Sequence, residues 1–91
     1  MYKNLLEARQ RHERNGGCFF SDSTKRFFAS RWGDTLYGGR YFITSEADKP
    51  RLDRVWTVRD VDEEGNISVV GKFGQYRSWK YARRAVARLL Q

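Results

Sequence analysis

Several residue types that common protein functions require are scarce in this chain. Its 91 residues include one cysteine (Cys18), one histidine (His12), one proline and one methionine. A lone cysteine forms no internal disulfide, which fits a reducing cytoplasm, and one Cys with one His cannot complete a zinc site or a catalytic triad. No segment approaches the roughly 20 apolar residues of a membrane span, and the charged N-terminus lacks the apolar stretch of a signal peptide. These absences predict a cytoplasmic, non-enzymatic protein without a metal or a cofactor.

Two other polar motifs lack the residues that a catalytic or phosphate-binding site needs. Gly71-Lys72 lacks the spaced glycine and the following Ser or Thr of a phosphate-binding loop. Glu63 and Glu64 are adjacent within a polar turn, which suits the solvated tip of a hairpin better than acid–base chemistry. We therefore expect a binding protein, and its partner becomes the question.

Acidic residues are absent from one end of the chain. The net charge is +7, with a balance of +4 over residues 1–31, −2 over 32–76 and +5 over 77–91, where no Asp or Glu occurs. A basic segment without interleaved acids is typical of a surface for an anionic partner, but a charge run is also the ordinary solvated face of a helix. The sequence leaves both interpretations open.

A β-hairpin is the clearest structural pattern. Residues 55–61 and 67–73 are rich in β-branched and aromatic side chains, and residues 62–65 between them are typical of a four-residue turn. With this turn, Val58 faces Val69. Because side chains alternate along a strand, one face of the hairpin is predicted to point toward the core, and it carries Trp56, Val58, Ile67, Val69 and Phe73. The other face is predicted to be exposed to solvent, and it carries Thr57, Arg59, Ser68, Val70 and Lys72.

The C-terminal helix begins after Ser78, whose hydroxyl is suited to cap it. Its apolar stripe at helical spacing consists of Trp79, Ala82, Val86 and Leu89. The sequence predicts that nucleic acid or another anionic partner binds the basic residues beside that stripe, which are Arg77, Lys80, Arg83, Arg84 and Arg88.

Two further helices precede the hairpin. The first is predicted over residues 2–14, with a stop signal at residues 15–17. Its apolar stripe is short, so this helix is either loosely attached or ordered by a partner. The second helix starts at Ser21 or Asp22 and ends at Gly33.

The predicted fold class is α+β in a single domain, residues 1–91. A helix within residues 1–17 precedes an α+β core, residues 18–91, whose C-terminal helix packs on a small three-stranded antiparallel sheet. Residues 40–46 supply the third strand, and residues 47–53 form a loop with the only proline. Most of the fourteen aromatic residues are expected to lie in the core. Alternatively, some of them form a surface on which nucleic-acid bases stack. The expected core contains Phe27, Phe28, Ile43, Trp56, Val58, Val69, Phe73, Ala82, Val86 and Leu89.

Four groups of residues carry a family resemblance. They are Phe19-Phe20-Ser21 with Phe27-Phe28, Gly39-Arg40-Tyr41-Phe42-Ile43-Thr44-Ser45-Glu46, Trp56-Thr57-Val58-Arg59, and Gly71-Lys72-Phe73-Gly74-Gln75-Tyr76 with Ser78. Over about residues 19–88 the chain resembles a family of small uncharacterised proteins encoded by bacteriophages and bacterial mobile elements. The resemblance implies a phage or prophage setting in a bacterial cytoplasm and no biochemical activity. The first helix lies outside it.

The shape of the predicted core is similar, more weakly, to plant ethylene-response DNA-binding domains and to integrase arm-binding domains. Those domains insert the face of a three-stranded sheet into the major groove. This similarity implies a secondary contact face formed by Thr57, Arg59 and Lys72. The charge distribution favours the C-terminal helix instead, because residues 32–76 are mildly acidic.

Two functions are therefore expected. In the first, a phage or mobile-element accessory protein binds nucleic acid or a nucleoprotein complex through the basic helical surface. In the alternative, a phage-encoded inhibitor blocks a host defence system, of CRISPR type or restriction type, by binding a host protein. The net positive charge argues against a DNA mimic, which would be acidic.

Overall fold

The chain runs through three helices and four strands in the residues that the computed structural model describes, 1–48 and 53–91, with only the backbone described for Phe28 and Asp48. In chain order these elements are α1 (Leu5–Arg14), α2 (Asp22–Phe28), β1 (Arg31–Trp32), β2 (Tyr41–Asp48), β3 (Asp53–Val61), β4 (Ile67–Val69) and α3 (Trp79–Leu89). Pro50 and the middle of its predicted loop lie outside the described residues. Both ends of that predicted loop belong to strands instead.

The four strands form one antiparallel sheet in the order β1-β2-β3-β4. This confirms the predicted α+β class with an antiparallel sheet and a C-terminal helix, whereas the predicted number of three strands was wrong. The additional strand, β1, consists of residues that the sequence predicts to lie in the second helix. Ala29 caps the C-terminus of α2 with a left-handed backbone, at a φ of 49°. The chain turns there, and Trp32 pairs with Thr44 of β2.

The β3–β4 hairpin is shifted by one residue from the predicted pairing. Arg59, not Val58, lies opposite Val69. A shift by one residue moves a strand's side chains to the other face of a sheet, so Val69 shares a face with Thr57 and Arg59. That face is not solvated as predicted, because Thr57 and Arg59 are only 0% and 9% exposed.

The turn explains the shift. The Asp62 carboxylate accepts hydrogen bonds from the backbone N–H groups of Glu64 and Asn66, each at 2.9 Å. The Gly65 N–H also donates to the Asp62 carbonyl at 3.0 Å. These bonds hold Asn66 inside the turn. The turn is therefore one residue longer than its sequence suggested, and β4 begins at Ile67.

One face of the sheet packs against α3. The small alanine side chains of the helix allow it to lie close to the strands. Four residues predicted to be core, Ile43, Val58, Ala82 and Val86, are buried here as expected. The complete buried cluster consists of Ile43, Val58, Ala82, Ala85 and Val86.

The opposite face packs against α1 and the segment after it. The rings of Phe20 and Phe42 stack with their centres 5.9 Å apart, and Leu5 and Ala8 of α1 are buried against this aromatic cluster. The buried residues of this second cluster are Leu5, Ala8, Phe20, Phe42 and Val61. The sheet is thus covered on both faces, and α1 contributes directly to one of the two cores.

His12 connects α1 to two loops. Its Nε2 accepts a hydrogen bond from the Phe19 N–H at 3.1 Å, so Nδ1 carries the ring proton and donates to the Gly65 carbonyl at 2.6 Å. Glycine is required at the two positions where the chain passes close to His12, Gly17 and Gly65. A Cβ at Gly17 would overlap the imidazole ring, and a Cβ at Gly65 would lie 2.8 Å from the backbone nitrogen of His12.

Other predicted core residues lie elsewhere. Trp56 is half-buried and packs against the cluster beneath α3. Val69 is also only half-buried. Phe27, Phe73 and Leu89 are exposed, so their assignment to the core was wrong. The side chain of Phe28 lies outside the described part of the structure. Two of these differences have a cause in the fold. Val69 lies on the other face because the hairpin pairing is shifted, and Leu89 lies outside the buried residues of α3, which are Ala82, Ala85 and Val86.

Candidate nucleic-acid interface

α3 presents basic side chains to solvent because its small residues face the sheet. The Ser78 hydroxyl begins the helix by accepting a hydrogen bond from the Tyr81 N–H at 3.4 Å. The residues that α3 buries are Ala82, Ala85 and Val86. At 3.6 residues per turn, the side of the helix away from this stripe carries Lys80, Arg84 and Arg88, all exposed. The sequence predicted this outward placement.

A groove lies between α3 and the segment that leads into it. We call it the arginine groove; it has a volume of about 490 Å³ and is lined by Gln75, Tyr76, Arg77, Tyr81, Arg84 and Arg88. The leading segment is anchored to the sheet, because the Trp56 N–H donates to the Tyr76 carbonyl at 2.8 Å and the Tyr76 N–H donates back at 3.1 Å. Both walls are therefore held by the fold.

The arginines of this groove have no acidic partner within the described residues. Neither α3 nor the segment before it takes part in an ion pair there, and the sequence holds no Asp or Glu after residue 76. The ion pairs of the described chain are Arg9–Glu13, Arg40–Asp60 and Arg59–Glu46. The Arg84 guanidinium lies over the Tyr81 ring, with its Cζ 5.7 Å from the ring centre. The groove is consequently an exposed, uncompensated positive surface with aromatic walls.

Two of the five residues predicted on the basic surface lie outside the arginine groove. Arg83 is half-buried on the other flank of α3, where its Cζ lies 4.5 Å from the centre of the Tyr37 ring. Lys80 is exposed on the outward side of α3 but does not line the groove. Adjacent helical residues differ in direction by about 100°. For this reason the neighbouring Arg83 and Arg84 face different sides.

The structure buries two of the three residues of the secondary contact face predicted on the sheet, Thr57 and Arg59. The Arg59 guanidinium is enclosed between two rings, with its Cζ 4.9 Å from the centre of Phe19 and 5.5 Å from that of Phe73. Burial lowers the pKa of Arg59 from its ordinary value, and the Glu46 carboxylate opposes that shift. Thr57 is also buried, so only Lys72 of this set is exposed. A sheet face covered in this way cannot enter a DNA groove.

A family model described as Family of unknown function (DUF7447) matches residues 4–87. The chain belongs to DUF7447. The matched range includes α1, whereas the resemblance to phage-encoded proteins covered only about residues 19–88. It also includes both walls of the arginine groove up to residue 87. No curated protein and no solved structure matches the chain.

In this DUF7447 chain, sequence reasoning missed three residues that line the arginine groove. Tyr76 and Tyr81 alternate with basic residues along residues 76–84, and that interleaving was a usable signal for a nucleic-acid surface. Gln75 gave no local signal. Its place depends on a loop contact, in which its Oε1 accepts a hydrogen bond from the Lys72 N–H at 3.0 Å.

Three further observations on this DUF7447 chain concern metal ligands, the Cys18 and His12 side chains, and the helices. Residues 1–48 and 53–91 contain no group of three or more His, Cys, Asp and Glu side chains that could hold a metal ion. The Cys18 side chain is exposed, and both ring nitrogens of His12 are engaged with backbone groups. Among the helices described, none has the length and apolar character to span a bilayer.

Proposed function

We propose that the protein binds nucleic acid through its phosphate backbone, using the arginine groove as the contact surface. The observation that supports this most directly is the convergence of Arg77, Arg84 and Arg88 on one groove without an acidic neighbour in the described chain. The proposal assigns no catalytic step to the protein.

The chemistry of the groove suits phosphate better than an isolated carboxylate. Guanidinium groups donate paired hydrogen bonds to phosphate oxygens, and three of them in one groove match a backbone with a regular series of negative charges. Tyr76 and Tyr81 add aromatic surface beside these charges. Phosphate contacts carry no base information, so binding through the arginines alone is independent of sequence.

Salt dependence of binding tests this proposal quantitatively. Three phosphate contacts predict that log K falls with log salt concentration with a slope of about −3 for a duplex and about −2 for a single strand. Replacing all three arginines, as in Arg77→Gln/Arg84→Gln/Arg88→Gln, should remove most of this slope and weaken binding to every sequence alike. Fluorescence anisotropy with labelled oligonucleotides at several salt concentrations measures both quantities.

A matched control separates local contacts from net charge. The variant Lys3→Gln/Arg14→Gln/Arg26→Gln removes the same number of positive charges from exposed positions that do not line the groove. It should retain nearly the parental slope. If both triple variants lose affinity equally, the groove has no special role and only the overall charge matters.

The biological setting we propose is that of a phage or mobile-element accessory protein in a bacterial cytoplasm, which rests on the resemblance over residues 19–88. The alternative, inhibition of a host defence complex through a protein contact, makes a different prediction. Nuclease treatment of a lysate should then leave the partner bound to the protein. The affinity for a protein partner should also depend mainly on one or two central residues, rather than equally on the three arginines.

A further inference from the structure

A second cleft adjoins the arginine groove. Its volume is about 260 Å³, and it shares three lining residues with the groove, Gln75, Tyr76 and Arg88. The rest of its wall is largely apolar and includes Val58, Val70, Ala85 and Leu89. The strongly positive groove therefore adjoins a recess whose remaining wall is apolar, and Arg88 lines both.

The loop that closes the recess is built around Gln75. Because Gln75 Oε1 accepts a hydrogen bond from the Lys72 N–H, the carboxamide is held in place. Gly71 has a φ of +81°, and a Cβ there would overlap that oxygen, so the loop depends on a glycine at this position. Gln75 Nε2 makes no hydrogen bond within the described residues. Gln75 lines the cleft beside its apolar residues, so this amide group is available as a hydrogen-bond donor to a ligand there.

We propose that this recess receives one unpaired nucleobase of a single-stranded nucleic acid whose phosphates lie in the arginine groove. The inference rests on the proposed phosphate binding and specifies its substrate class. The ligand must present a flat, largely apolar group next to a chain of anions, and an unpaired base attached to its backbone has this form. The free Nε2 donor of Gln75 matches the acceptor groups on the edge of a base.

The dimensions and the accessibility of the recess support this choice. Its volume lies below the roughly 300–1,000 Å³ of sites for drug-sized ligands, which limits it to a group of about one ring system. A paired base is stacked inside its duplex and cannot enter such a recess without being extruded. Unpaired bases enter without that cost and gain contact with apolar and aromatic side chains. The protein should consequently prefer single strands over duplexes.

Three probes separate the base from the phosphates: a short oligothymidylate, the same oligomer with abasic sites in place of its bases, and a duplex of equal length. We expect the oligothymidylate to bind at least about five-fold more tightly than the abasic oligomer, which is the lower end of the effect of one stacked base. We also expect it to bind more tightly than the duplex. Equal affinity for the thymidylate and abasic oligomers would overturn the base-binding inference while leaving the phosphate proposal intact. Failure of all three probes to bind would instead contradict the phosphate proposal itself.

Two variants locate the effect. Leu89→Trp fills the recess from a position that is already partly exposed, and Leu90→Trp is its control at an adjacent, similarly exposed leucine that does not line the recess. Only Leu89→Trp should reduce the ratio of thymidylate to abasic affinity toward one. If Leu89→Trp fails to fold by circular dichroism, Gln75→Glu serves instead, since it keeps the acceptor for Lys72 and removes the free donor. If folded Leu89→Trp or Gln75→Glu keeps the parental ratio of thymidylate to abasic affinity, the base does not bind in this recess.

Discussion

Glu46 and Arg59 form an ion pair buried on the sheet face that α1 covers. The Arg59 Nη2 lies 3.6 Å from Glu46 Oε2, and the Glu46 side chain is fully buried. The Thr57 hydroxyl donates to Glu46 Oε1 at 2.6 Å, and the Arg59 Nε donates to the Thr44 hydroxyl at 3.2 Å. Glu46 Oε2 accepts no hydrogen bond within the described residues, so Arg59 is its principal electrostatic partner. A region that the sequence assigned to solvent therefore holds a charge pair whose two members depend on each other.

The ion pair predicts a strong asymmetry between single and double substitutions. Arg59→Met should destabilise the protein by about 3–5 kcal/mol, because it leaves the Glu46 carboxylate buried without its partner. Replacing both residues, as in Glu46→Leu/Arg59→Met, should lose clearly less, since an apolar pair of similar volume leaves no buried charge. Urea unfolding followed by tryptophan fluorescence measures both changes. Equal losses in the single and double variants would show that the charges are not coupled.

α1 offers a matched pair of adjacent leucines. Leu5 is 5% exposed and lies in the buried cluster with Phe42, whereas Leu6 is 62% exposed. Leu5→Ala should cost about 2–5 kcal/mol, while Leu6→Ala should change stability by no more than about 0.5 kcal/mol. For a domain of this size the first loss lowers the melting temperature by roughly 10 °C or more. If both variants melt with the parent, α1 is the loosely attached helix that the sequence allowed.

His12 and Cys18 should affect stability differently and binding not at all. His12→Ala removes hydrogen bonds to the Phe19 N–H and the Gly65 carbonyl, and we expect a loss of about 1–3 kcal/mol. Cys18→Ser changes an exposed side chain and should be close to neutral. Nucleic-acid affinity of both variants is measured under conditions where they are folded. A loss of affinity in either folded variant would indicate a functional role for that residue.

Asp62 makes a prediction about acid stability. Hydrogen bonds from the backbone and side chain of Asn66, and from the backbone of Glu64 and Gly65, hold the pKa of Asp62 below its ordinary value of 3.8. A carboxyl group with a lowered pKa in the folded state stabilises the protein above that ordinary value, and this contribution disappears as the pH falls through the folded-state pKa. Asp62→Ala should thus be less stable than the parent near neutral pH, and the difference should shrink below about pH 4.

A neighbouring carboxylate on the same turn provides the control for this pH dependence. The Glu63 side chain accepts no hydrogen bond in the turn, among the residues that the structure describes. Glu63→Ala should therefore show nearly the parental loss of stability on acidification. The test compares urea midpoints at neutral and acid pH for the three proteins. A stability difference between Asp62→Ala and the parent that stays constant with pH would contradict the assigned role of the carboxylate.

Local chemistry allowed part of this structure to be predicted from the sequence. Ser78 caps α3 as expected, and the spacing of Ala82 and Val86 placed Lys80, Arg84 and Arg88 on the outward side. The hairpin was also evident, because β-branched segments flank a polar turn. These features depend on interactions between residues a few positions apart, and such spacing is visible in the sequence.

Only the tertiary structure decided which side chains meet. The Asp62 side-chain hydrogen bonds added one residue to the turn and shifted the pairing. The rings of Phe19 and Phe73 enclose Arg59 on the face that the sequence predicted to be solvated. The arginine groove likewise required a loop, anchored at Tyr76 by Trp56, to lie beside α3 and bring Arg77 near Arg84. Helical geometry turns Arg83 away from Arg84, and packing of α3 places it against the ring of Tyr37, a residue distant in the chain. Such contacts join residues distant in the chain, and their free energy depends on how whole helices and strands pack. Amino-acid type and spacing therefore determined the helices and strands, but not the site that forms between them.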